Sequence, residues 1–149
     1  MAATLQNCAR GLLPRTLIRM NISSFDELLL AARQQAEPQR LLMVFVGASL
    51  GEEASQAERA AFEQGAGGEI TPLMCVDKCV TELSDFASLA GEADAMGQAW
   101  VLVFAGAIAA AAEAREVDTA LRKLVESVRV GQVQGLAVFN REGQAVMLR

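Results

Sequence analysis

Leu42-Met43-Val44-Phe45-Val46-Gly47-Ala48 is an unbroken apolar run, and it returns as Val101-Leu102-Val103-Phe104-Ala105-Gly106-Ala107. A short apolar run rich in Val and Phe is the pattern of a strand covered on both faces, as strands in parallel sheets are. The residues ahead of each copy recur as well. Ile22-Ser23-Ser24-Phe25 followed by Leu28 is echoed by Leu83-Ser84-Asp85-Phe86 followed by Leu89. A recurring supersecondary unit constrains a fold more than any single motif does.

Working outward, Ser24-Phe25-Asp26-Glu27 has capping-box spacing, and Phe25, Leu28, Leu29 and Ala32 follow at helical intervals until Glu37-Pro38. After the strand Leu41–Ala48, a turn at Gly51–Ala54 and a second capping-box spacing, Ser55 to Glu58, predict a helix to about Gln64, stopped by Gly65-Ala66-Gly67-Gly68. Ile70–Val76 reads as the next buried strand, with Asp77-Lys78 at its carboxyl end. Ser84 is the expected cap of a helix from about Asp85 to Met96, closed by Gly97, before the strand Trp100–Ala107. Residues 105–114 are alanine-rich. A last helix is expected from Asp118 or Thr119, carrying Leu121, Leu124, Val125 and Val128 to Gly131. Leu136–Phe139, a turn at Arg141-Glu142-Gly143, and Ala145–Leu148 predict a terminal hairpin.

The fold class this implies is α/β: a tandem α-β-α-β repeat forming a mainly parallel sheet with covering helices and a C-terminal β-hairpin, the last strand antiparallel at an edge. At 149 residues the chain fits one domain, read as residues 20–149 with repeat halves of about 22–79 and 83–142. Residues 1–19 carry Arg10, Arg15 and Arg19 and no acid, and are read as a disordered N-terminal extension ahead of Met20. Leu12-Leu13 is cut short by Pro14, so the apolar core of a signal peptide is missing. With no apolar run of membrane-spanning length, a cytoplasmic location is expected.

Composition excludes whole classes of chemistry. The chain is 52% hydrophobic but only 5% aromatic, so its core must be aliphatic. A net charge of −5, without a Lys/Arg cluster, disfavours nucleic acid. With no His and no Tyr, imidazole-activated nucleophiles, imidazole-ligated metals and phenolic acids are all absent, leaving carboxylates, Lys or Cys for any proton transfer. The three cysteines, Cys8, Cys75 and Cys79, do not make a secreted disulfide framework. No metal and no cofactor is expected.

Two sets of residues remain as weak candidates. Cys75 and Cys79 form a C-x3-C pair beside Lys78, whose charge could lower a thiol pKa; two thiolates alone make a poor zinc site. The second set is a small-ligand site at the carboxyl ends of parallel strands, near Ser49, Asp77, Lys78, Asn140 and Arg141. Aligning the copies sets Cys75-Val76-Asp77-Lys78 beside Val138-Phe139-Asn140-Arg141, each strand ending in a polar residue and then a basic one. Gly47-Ala48-Ser49-Leu50-Gly51 follows a strand but lacks phosphate-loop spacing, and Glu52-Glu53 would repel a phosphate. Glu58, Glu63, Glu92 and Asp94 read as a solvated face.

Met20-Asn21-Ile22-Ser23-Ser24-Phe25-Asp26, Pro38-Gln39-Arg40-Leu41-Leu42, Pro72-Leu73-Met74-Cys75-Val76-Asp77-Lys78 and Phe139-Asn140-Arg141-Glu142-Gly143-Gln144 carry a resemblance. From Met20 almost to its end the chain resembles a family of short, mostly proteobacterial proteins that bear the label "ribonucleotide reductase subunit alpha". Segment 108–114 departs from it, since a Gly/Ser-rich loop is expected there. A catalytic reductase subunit needs a large barrel with a thiyl-radical cysteine and a separate redox pair, which this short chain does not have room for. The resemblance therefore implies a family without an activity, and no catalytic residue carries over. The expected function is a non-enzymatic protein-interaction or self-association module, with a protein partner or a homodimer formed through exposed sheet edges. The alternatives are a thiol-dependent redox accessory using Cys75 and Cys79, and a nucleotide or metabolite regulator connected to the reductase by that label only.

Overall fold

The computed structural model describes residues 22–49, 55–57, 60, 69–133 and 135–146. Residues 1–19 with Cys8, Met20, Leu50, the expected Gly51–Ala54 turn with Glu52 and Glu53, Glu58, Glu63, the expected Gly65–Gly68 stop and Leu148 lie outside them. The elements are α1 (Phe25–Arg33), β1 (Gln39–Ser49), β2 (Glu69–Cys79), a 3-10 turn (Val80–Glu82), α2 (Phe86–Ala95), β3 (Leu102–Ala109), α3 (Ala114–Arg129) and β4 (Ala137–Phe139). Residues 56, 57 and 60 are also helical.

The four strands form one sheet in the order β2-β1-β3-β4. Every pairing is antiparallel, which overturns the mainly parallel sheet expected from the apolar runs. The physical reason lies in what such a run reports. Leu41–Val46 are buried throughout because β1 is an interior strand with helices on both faces. Two-sided burial says nothing about the direction of the neighbours. β2 and β3 do run the same way, but β1 lies between them, so α2 carries a crossover between strands that do not touch.

Two apolar layers result. On one face Leu41, Met43, Phe45, Val103, Ala105, Ala107 and Phe139 meet α1 and α2. On the other, Leu42, Val44, Val46, Phe104, Ile108 and Val138 meet α3. The strand copies are thus not equivalent: Phe45 faces α1 and α2 while Phe104 faces α3. A one-residue offset sends every side chain of a strand to the opposite face, so these runs share composition and not position. The helical copies do meet. Phe25 and Phe86 lie on one face with ring centroids 5.3 Å apart. Phe25 also stands edge-on to Phe139 at 5.4 Å, and Trp100 to Phe45 at 5.0 Å. The few aromatics are concentrated where two helices and the sheet converge.

Caps explain where the helices start. Ser24 Oγ accepts from Glu27 N–H at 3.1 Å, and the Glu27 carboxylate accepts from Ser23 N–H at 2.7 Å and Ser23 Oγ at 2.8 Å. The bond from Ser23 N–H, followed by that from its hydroxyl, holds the Glu27 carboxyl below its ordinary pKa. In α2 the N-cap is Asp85, accepting from Ser88 N–H at 2.9 Å, one residue after the Ser84 expected. α3 begins a turn earlier than Asp118, because Val117 and Ala120 extend the buried stripe of Leu124 and Val128.

Candidate functional site

The two outer strands of the sheet end in different surroundings. Past β4 the chain turns at Asn140–Gly143 and comes back: Phe139 bridges to Ala145, and Val146 N–H donates to Val138 at 2.9 Å. The returning residues are covered in turn, with Ser24 bridging Gln144 and Phe25 N–H donating to Gly143 at 2.7 Å. β2 is 11 residues long and, among the described residues, pairs on one side only. Its ladder with β1 slips between Phe45 and Val46, where Met74 and Pro72 are partners and Leu73 is the extra residue.

Beside this edge, between β2 and α2, lies a cavity of about 270 Å³. Phe45, Met74 and Val76 form its sheet side and Leu89, Ala93 and Met96 its helix side. Met96 is 69% exposed at the end of α2, an uncommon position for a large apolar side chain and one with freedom to repack around a guest. The polar residues at its rim are Lys78 and Glu92, paired at 2.9 Å. The cavity is apolar with one charged pair beside it, the usual make-up of a binding pocket rather than of a site for proton transfer.

The sequence-selected residues are distributed around this edge and away from it. Asp77 stands opposite Leu42, on the α3 face, and pairs with Arg40 at 2.7 Å. Lys78 stands opposite Leu41, on the α2 face. Neighbours on a strand point apart, so Asp77 and Lys78 do not converge on one ligand. The carboxyl end of β2 adjoins the start of β1, whereas that of β4 adjoins the start of β3, at the other end and the other edge of the sheet. Antiparallel strands cannot gather their carboxyl ends, so Asn140 and Arg141 are far from Asp77 and Lys78. Asn140 builds the turn, its Oδ1 accepting from Glu142 N–H at 3.0 Å and Gln144 N–H at 2.9 Å. Arg141 is a clamp. Its guanidinium lies 4.5 Å from the Trp100 ring centroid, donates to both Asp94 oxygens at 3.0 and 3.1 Å, and reaches the Trp100 carbonyl at 3.1 Å. Trp100 Nε1 donates to the same carboxylate at 2.9 Å, so Asp94 is part of the clamp. Ser49 closes β1 opposite Glu69, at the end away from Asp77.

Cys75 is exposed and Cys79 half-buried, both on β2. Four residues of extended strand separate them by about 13 Å, well beyond the ~7 Å limit between disulfide-forming Cα atoms. Cys79 instead donates its N–H to Glu82 at 3.0 Å, which, with Arg40 nearby, holds the Glu82 carboxyl below its ordinary pKa. Among the described residues no group of three potential ligands could hold a metal ion.

The site that the structure does present, Met74, Val76, Leu89, Ala93 and Met96 beside a strand unpaired on one side among the described residues, is not among those the sequence singles out. One signal for it stands in the sequence: Pro72 inside the Ile70–Val76 run. Proline donates no ladder bond and is confined to edge strands and bulges. No family model, no curated protein and no solved structure matches the chain. No described helix is long and apolar enough to cross a membrane.

Proposed function

We propose that this protein is a binding module that takes up an extended polypeptide segment by strand addition to the outer edge of β2. The observation that carries the reading is the conjunction of an 11-residue strand unpaired on one side among the described residues and an apolar cavity of about 270 Å³ beneath it. Strand addition uses these two parts separately. Main-chain hydrogen bonds to the edge supply affinity, and a pocket taking every second side chain supplies selectivity. A Leu- or Met-sized side chain buried there is worth about 1.5–3 kcal/mol. The ionisable groups nearby are held in pairs, Arg40 with Asp77 and Lys78 with Glu92, an arrangement that suits recognition better than covalent chemistry.

Chemical-shift mapping of the isotope-labelled protein with a library of extended peptides tests this. Binding peptides are expected to shift the amides of residues 69–79 and the methyl groups of Met74, Leu89 and Met96. Shifts confined to α3 or to 137–146 would refute strand addition at β2. A second copy of the chain as occupant would show as concentration-dependent shifts of the same amides without peptide.

A further inference from the structure

Around the open edge of β2 the charges are sorted by exposure. The two bases are turned inward: the Arg40 side chain is 23% exposed and that of Lys78 22%. The acids stand outward, Glu82 at 56% and Glu92 at 60%, with Asp77 between at 35%. An approaching chain therefore meets carboxylates first, on a protein whose net charge is −5. Acids outnumber bases in this group by three to two, since Arg40 serves both Asp77 and Glu82.

Resting on strand addition at β2, we infer that the segment taken up is positively charged, with one large aliphatic side chain seated between β2 and α2 and a Lys or Arg two residues away. Side chains two apart on a strand lie on one face about 7 Å from each other. An anchor lowered between Met74, Val76, Leu89 and Ala93 thus carries its i±2 neighbour over the rim, where Glu92 stands. A neutral or acidic segment gains the same main-chain bonds but leaves the outward carboxylates unanswered or opposed.

The test uses the full chain and fluorescence polarisation with three blocked nonapeptides. Each has leucine at its centre and threonine alternating with lysine, with glutamine or with glutamate. The lysine peptide is expected to bind about tenfold or more tighter than the glutamate peptide at about 0.01 M ionic strength. That margin should shrink at about 0.15 M, where the Debye length falls to about 8 Å. Glu92→Gln together with Glu82→Gln should bring the lysine and glutamine peptides to within about twofold of each other. Replacing the central leucine by alanine should weaken all three peptides alike. Equal affinity for the three charge types would overturn the cationic partner and leave strand addition standing. Failure of every peptide to bind at millimolar concentration would overturn strand addition itself, and the cationic partner with it. A dimer seen by sedimentation at low ionic strength that peptide does not compete away would assign the edge to a second copy, overturning the cationic partner.

Discussion

At the β4 edge the chain folds back on itself, and residues 143–145 are covered by residues 23–25, whereas at the β2 edge Met74, Cys75, Val76 and Lys78 border a cavity. Unpaired strand edges invite association, and proteins commonly blunt them. Here one edge is blunted thoroughly, with an Asn turn, a glycine at φ +79° and the clamp of Arg141 on Trp100 and Asp94. The other carries, among the described residues, Pro72, one bulge and a partly buried Lys78. Among the described residues only the β4 edge is covered, and the proposed strand addition rests on that contrast.

The comparison breaks most visibly at the closed edge. A Cβ on Gly143 would stand 2.8 Å from Phe86 Cδ2, in a backbone conformation that side chains rarely adopt. Gly143→Ala should cost about 2–4 kcal/mol in urea unfolding, combining left-handed strain with a clash in the aromatic cluster. Arg141→Ala removes the cation over Trp100 and leaves Asp94 with one partner fewer. A loss of about 1–2 kcal/mol is expected, with Lys recovering only part of it. At the open edge the effects should fall on binding instead. Met96→Ala should leave stability within about 0.5 kcal/mol, because the side chain is largely exposed, while peptide affinity falls about five- to tenfold. Stability losses as large at Met96 as at Gly143 would erase the contrast.

Acid should act through the caps and the end of β2. Glu27, Glu82 and Asp85 are all held below their ordinary pKa, Asp85 chiefly by Ser88 N–H. A carboxyl with a lowered folded-state pKa contributes stability that is present above its unfolded value and lost as pH falls through the folded one. The urea midpoint is expected to hold steady with respect to these groups above about pH 5 and to decline through and below about pH 4. Asp85→Asn keeps a capping oxygen that does not titrate, so its decline should be shallower. The smallest effect is expected of Glu92→Gln, an exposed partner whose loss should cost under about 0.5 kcal/mol.

Local features of this fold were legible in the sequence because they are set by near neighbours. The cap at Ser24, the stripe Phe25-Leu28-Leu29-Ala32 and the turn glycine Gly143 each follow from a few adjacent residues. Strand direction was not legible, since Leu41–Val46 is equally apolar whichever way its partners run. The apparent repeat misled for a related reason: Phe45 and Phe104 sit in like runs, and nothing local says which face each will take. Gathering Ser49, Asp77, Lys78 and Asn140 at one end required parallel strands, so that site dissolved with the sheet that implied it. The cavity joins β2 to α2 through tertiary packing and leaves no local trace except Pro72, a residue that does not belong in a buried interior strand.

The most direct test of the contrast between the edges is residue-resolved amide hydrogen exchange of the full chain, with and without the lysine-leucine nonapeptide. The prediction is that outward amides of residues 69–79 exchange readily alone and gain protection with peptide, while those of 137–146 are protected in both states and unchanged. Outward amides of β2 already protected without ligand, or protection gained at 137–146 in place of 69–79, would contradict the account.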